Sequence, residues 1–184
     1  SIHVGACTHY GPEGQDKSRN EDYALSACFE DGGGGWWGVA AVADGVSTRT
    51  FWASRSSRLA CLAAYRQLRL FAAEQASAPP PDQARLAAFR SSFVRAVVET
   101  LRKDQEVLLA SDFTPPKWAP DLYRRLQSRD ELWYNTTLLV CLMGPRWGVL
   151  LSSGDGGVRL RREREGASPD EKTVLESTDD LAIS

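Results

Sequence analysis

Residues 36–43, Trp-Trp-Gly-Val-Ala-Ala-Val-Ala, form an almost wholly apolar run that stops abruptly at Asp44-Gly45. A run this short, aromatic at one end and closed by a turn pair, fits a strand buried on both faces. Such a strand must be flanked by sheet partners and covered by further layers, so it commits the rest of the chain to building them. The 184 residues, 42% hydrophobic and 25% charged, have the composition to do so. A chain of this size buries roughly two-thirds of its unfolded surface and fits one domain spanning 1–184.

Strand signals lie on either side of that run. Residues 2–8 and 23–29 are β-compatible, separated by a polar loop over 11–20 with two glycines and a proline. Asp31 followed by Gly32 to Gly35 reads as a hairpin tip. Beyond Gly45 the period changes. Ala60, Cys61, Ala64, Leu68 and Phe71 recur at helical spacing, with Arg58, Arg66 and Arg69 mostly on other faces. Pro79-Pro80-Pro81 breaks the chain, and Asp82 can cap a second helix striped by Leu86, Phe89, Phe93, Val97 and Leu101. Both helices read as one-sided surface helices packed on a sheet. Residues 114–120 read as a proline-rich loop and 121–133 as a short third helix. Residues 136–142 and 147–152 flank Gly144-Pro145-Arg146, a hairpin signature. Gly154-Asp155-Gly156-Gly157 then turns the chain into an alternating strand over 158–161, with a solvated hairpin end over 161–165. Strands, then paired helices, then strands give an α+β fold with a largely antiparallel sheet.

Charge narrows the function classes. Lys plus Arg number 22 against 24 Asp plus Glu, a formal net charge of −2, which leaves no basic footprint for nucleic acid or an acidic membrane. No apolar run approaches the roughly 20 residues of a membrane helix. The sequence begins at Ser1 with no charged, apolar leader, and Cys7, Cys28, Cys61 and Cys141 lie far apart without a C-x-x-C pair. Free buried thiols in a reducing, cytoplasmic compartment are therefore expected. Asn135-Thr136-Thr137 matches a glycosylation sequon that has little meaning there.

Chemistry concentrates in three acidic places, each at a strand end beside glycine or polar residues: Asn20-Glu21-Asp22, Asp44-Gly45 and Gly154-Asp155-Gly156. Carboxylate and carbonyl oxygens suit hard divalent cations such as Mg²⁺ and Mn²⁺. Asp-Gly offers both, because glycine lets the backbone turn closely around an ion. Adjacent Glu21 and Asp22 would face opposite ways in an extended chain, so only one can face a site directly. Taken singly, each feature also describes an ordinary turn.

Together they form a pattern: Lys17, Arg19, Asn20-Glu21-Asp22, an apolar strand ending in Ala43-Asp44-Gly45-Val46-Ser47, then Asn135-Thr136-Thr137-Leu138, then Gly154-Asp155. In that order the motifs resemble the metal-dependent serine/threonine phosphatases of the protein phosphatase 2C (PPM) family, over about Gly5 to Leu160. The resemblance implies a four-layer αββα sandwich with a metal site in a cleft at one end. It implies Asp44 as the carboxylate bridging two Mg²⁺ or Mn²⁺ ions, the Gly45 carbonyl on one of them, Glu21 serving the second with Asp22 close by, and Asp155 helping hold a third. It further implies hydrolysis of phosphoserine or phosphothreonine on a protein substrate, by a water activated between the metals. The partners would be phosphoproteins and their serine/threonine kinase, in signalling of bacterial type. The family's phosphate-gripping arginine corresponds to Lys17, which supplies charge without a bidentate fork, so Arg19 shares or replaces that role.

The sequence departs from the family in two places. Val46-Ser47-Thr48-Arg49 stands where Gly-Gly is usual, and beyond Asp155 the aspartates are Asp170, Asp179 and Asp180, with no Ser-Asp-Gly or Asp-Asn. The family draws two further metal ligands from those motifs. Two expectations follow: this is the N-terminal portion of a longer phosphatase, or it is a degenerate, non-catalytic domain that binds a phosphoprotein through the same cleft.

Overall fold

The computed structural model describes residues 5, 21–45, 53–75, 78–111, 134–154, 156–162 and 170–177, the last two stretches by their backbone alone. The elements run β1 (Tyr23–Glu30), β2 (Trp36–Ala43), α1 (Ala53–Gln75), α2 (Gln83–Ala110), β3 (Leu138–Met143), β4 (Gly148–Ser153), β5 (Gly156–Arg162) and β6 (Asp170–Ser177). The first four strands form an antiparallel sheet in the order β1-β2-β3-β4, and β5 pairs with β6 as a separate antiparallel hairpin. Strands 23–29, 136–142, 147–152 and 158–161 thus lie where the sequence puts them, with ends displaced by a residue or two. The partner strand β6 is the unexpected one, because Asp170-Glu171-Lys172 dilutes its alternation with charge. Apart from Gly5, which is not in a strand, the expected strand over 2–8 falls outside the described residues, as does the helix over 121–133.

β2 is central to the sheet but is not buried on both faces as its composition suggests. Successive side chains alternate across a strand, and Trp37, Val39, Ala41 and Ala43 face the helices, fully buried. On the other face Trp36 is 55% and Val42 40% exposed, while Leu150 and Ser152 of β4 are buried. Among the described residues the helices cover one face only, so an apolar run marked a central strand without marking how many layers enclose it. Among the described residues the result is α+β, one helical layer on a four-stranded antiparallel sheet beside the separate β5–β6 hairpin, which matches an incomplete αββα arrangement.

Helix α1 lies against β1, β2 and β3, and α2 packs chiefly against α1. The stripe expected on α2 is buried at Phe89, Phe93, Val97 and Leu101, but it faces α1 and the core beside it more than the sheet. Asp82 caps α2, its carboxylate accepting from the Arg85 amide at 2.8 Å. Side-chain size grades along the interface. At the Trp37 end, Trp147 meets Trp37 edge-on at 4.7 Å and Phe71 stacks on Phe89 at 3.9 Å. At the Ala43 end the contacts are small: Ala41, Ala43, Ala60 and Ala64 are fully buried. Bulk at one end and alanine at the other let the first turn of α1 press close to the ends of β1 and β2.

The thiols divide. Cys61 is buried and Cys141 half-buried, but Cys28 is exposed on β1, so the expectation of buried cysteines fails there; Cys7 is outside the described residues. No helix among the described residues is long and apolar enough to cross a membrane.

Candidate functional site

The β1–β2 ladder pairs Tyr23 with Ala43 and then continues past the end of both strands. The Gly45 amide donates to the Glu21 carbonyl at 3.2 Å. That bond seats Glu21-Asp22 directly beside Asp44-Gly45, which the sequence separates by more than a strand and a hairpin. Asp44 presents an exposed side chain, Glu21 and Asp22 are half-buried, and Gly45 is buried.

The opposite side of Asp44 is held by the start of β3. The Thr137 amide and the Thr136 hydroxyl each donate to the Asp44 carbonyl at 2.9 Å, and the Asp44 amide donates to Thr137 Oγ1 at 3.1 Å. Gly45 and Thr136 form an isolated antiparallel bridge. Thr136 supplies a hydroxyl and Thr137 a hydroxyl and an amide, so the Asp44 backbone is fixed from this side by three bonds. Helix α1 closes the site from beneath. Ser57 Oγ donates to the Glu21 carbonyl at 2.6 Å, and Ser56 Oγ donates to the Ala53 carbonyl at 2.8 Å and the Asn135 carbonyl at 3.2 Å. Ser56 and Ser57 are fully buried, where an unpaired hydroxyl would be costly. Here Ser57 ties α1 to the Glu21 strand end, and Ser56 ties it to Asn135, just ahead of β3.

Gly45 is dictated by space. A Cβ on it would lie 2.6 Å from the Ala53 oxygen and 2.7 Å from both the Ala53 carbonyl carbon and the Glu21 oxygen, all backbone atoms. Gly154 is dictated by conformation as well, with φ +93° and a hypothetical Cβ 2.7 Å from Thr137 Cγ2. Gly154 therefore lies against the same Thr137 that holds Asp44. Asp155 itself, Lys17 and Arg19 lie outside the described residues.

The structure thus brings Glu21, Asp22, Asp44 and Gly45 to one end of the sheet. It adds Ser56, Ser57, Thr136 and Thr137, of which only the threonines belonged to a motif legible beforehand. It also adds Arg55, Asp104 and Tyr134, which no motif marked. Arg55 grips Asp104 through Nε and Nη2, each at 2.6 Å. This ion pair, ahead of an opposing desolvation, holds the Asp104 carboxyl below its ordinary value and raises the Arg55 guanidinium above its own. Burial first, and the hydrogen bond to Asp104 second, push the Tyr134 hydroxyl well up.

The donor chemistry at the strand ends, carboxylate and carbonyl oxygen, fits a hard divalent cation. Among the described residues, no three of His, Cys, Asp and Glu form a group that could hold a metal ion. The acidic backbones converge there, while a complete set of ligands requires oxygens from beyond them.

The model of the family described as protein phosphatase 2C matches residues 13–173. The chain belongs to the protein phosphatase 2C family. The match runs through Lys17, Arg19, Glu21, Asp22, Asp44, Gly45 and Asp155, and it makes the assembled strand ends part of a phosphatase domain. No curated protein matches the chain.

Proposed function

We propose that this protein phosphatase 2C domain hydrolyses phosphoserine and phosphothreonine esters on proteins, using Mg²⁺ or Mn²⁺. The observation that carries the reading is the bond from the Gly45 amide to the Glu21 carbonyl, which makes neighbours of two acidic motifs far apart in sequence. Asp44, the Gly45 carbonyl and Glu21 are the residues that would hold metal, with Asp22 acting through water or hydrogen bonds and Asp155 serving a third ion. When bound, such cations acidify water and neutralise phosphate oxygens. The chain's own contribution is to fix those ligands. Thr136, Thr137 and Ser57 occupy the carbonyl oxygens of Asp44 and Glu21, so the carboxylates project from a backbone that is held in place. Lys17 and Arg19 bind the substrate phosphate, Lys17 as a compact charge and Arg19 through its fork. The substrates would be products of a serine/threonine kinase in a bacterial-type, cytoplasmic signalling system.

The experiment is release of phosphate from a phosphothreonine peptide by the full-length protein, with and without Mn²⁺. Turnover that needs the metal and disappears in Asp44→Asn supports the reading. Folded full-length protein with no metal-dependent turnover refutes it. A second reading, a non-catalytic domain that binds phosphoproteins, rests on the departure at Val46-Ser47-Thr48-Arg49, which stands where the family has Gly-Gly. Binding of the phosphopeptide without hydrolysis and without any Mn²⁺ uptake would select it.

A further inference from the structure

Asp104, on α2, joins three parts of the fold through one carboxylate. It accepts from Arg55 of α1 through both oxygens, each at 2.6 Å, and its Oδ2 also accepts from the Tyr134 hydroxyl at 2.5 Å. Tyr134 is only 3% exposed, so its hydroxyl must find a partner inside the protein. The bidentate ion pair fixes the orientation of that partner.

Both arms of this network end at the Asp44-Gly45 turn. Tyr134 is followed by Asn135, Thr136 and Thr137, and the two threonines make the bonds to the Asp44 backbone. Arg55 lies next to Ser56, which bridges the carbonyls of Ala53 and Asn135, and Ala53 is the residue that leaves no room for a side chain on Gly45. The geometry points to Asp104 and Tyr134 as positioning residues that set Asn135–Thr137 and the first turn of α1 against Asp44-Gly45. They touch neither substrate nor metal. Their importance for catalysis rests on the phosphatase reading above, but their hold on the turn does not.

Tyr134→Phe is the informative variant, because it deletes one hydroxyl while Asp104 keeps Arg55 and no buried charge is orphaned. Hydrogen exchange should quicken about 5–10-fold at the Asp44, Gly45 and Thr137 amides, the factor one hydrogen bond sustains. The mid-strand amides of Ala41 and Val140 should keep their wild-type rates. Mn²⁺ affinity, measured by titration calorimetry, should weaken about 10-fold, as for other supports of metal ligands. Leu101→Ala, a core truncation on α2, is the comparison for general destabilisation and should speed the mid-strand amides too. Unchanged exchange at the three turn amides in Tyr134→Phe overturns the inference, and so does a uniform acceleration like that of Leu101→Ala. If wild-type protein takes up no Mn²⁺ while the local exchange pattern holds, the phosphatase reading falls and the positioning role stands.

Discussion

Gly45→Ala tests how tightly the acidic turn is built. The new Cβ would sit 2.6 Å from the Ala53 oxygen and 2.7 Å from the Glu21 oxygen, where ordinary contact begins at 3.4 Å. Both obstacles are backbone, one in the first turn of α1 and one beside β1, so no side-chain rotation relieves them. Forced overpacking of this kind costs about 1–3 kcal/mol. Separating Gly45 from Glu21 also weakens the hydrogen bond between them, at about 1 kcal/mol. Alanine recovers about 0.4–1 kcal/mol through its less flexible unfolded chain. The net expectation is a loss of about 2–3 kcal/mol, or about 4–12 °C in melting temperature for a chain of this size. Urea denaturation and thermal melting followed by circular dichroism measure it. Gly33→Ala is the control, since its Cβ meets only Asp31 Oδ1, at an ordinary 3.4 Å, and should stay within about 0.5 kcal/mol of wild type. If Gly45→Ala melts with Gly33→Ala, the close approach of α1 to the turn is wrong, and with it the account of why glycine stands there.

Two further outcomes follow from the Asp104 carboxyl and the thiols. The folded Asp104 carboxyl titrates below its ordinary 3.8, chiefly through its bonds to Arg55. Its contribution is thus complete above pH about 4 and is lost as the pH falls through the folded value. The stability gap between wild type and Asp104→Asn should therefore narrow on acidification below that point, and a gap constant from pH 7 to 2.5 would contradict the pairing. Burial pushes the Cys61 thiol up to about 12, while Cys28 is exposed. At pH 8 an aromatic disulfide reagent should label Cys28 rapidly and leave Cys61 untouched until the protein unfolds. Labelling of native Cys61 at the rate of Cys28 would show that α1 does not seal the ends of β1 and β2.

Much of this was legible in the sequence because it is local. The 36–43 run, the Asp82 cap and the Gly144-Pro145-Arg146 turn each carry their structure in a few adjacent residues, and each forms as expected. The family motifs also pointed to Glu21 and Asp44, whose proximity depends on a ladder between residues on either side of a hairpin. Less legible were features set by distant partners. Whether Val42 is covered depends on layers that β2 does not encode. Ser56 and Ser57 look like any polar residues on a helix until the carbonyls of Glu21 and Asn135 arrive over them. Asp104 reads as one more solvated helix charge, since nothing in its own neighbourhood announces Arg55, 49 residues earlier, or Tyr134, 30 residues later.

The most direct test of the central claim is where Mn²⁺ goes. Paramagnetic broadening of backbone amide signals, in a titration of the full-length protein with Mn²⁺, locates the ion without reference to turnover. The account predicts that Glu21, Asp22, Asp44 and Gly45 broaden first, with Thr136 and Thr137 close behind, and that Asp44→Asn removes the effect. Broadening spread evenly over the acidic surface, or centred elsewhere and indifferent to Asp44→Asn, would contradict it.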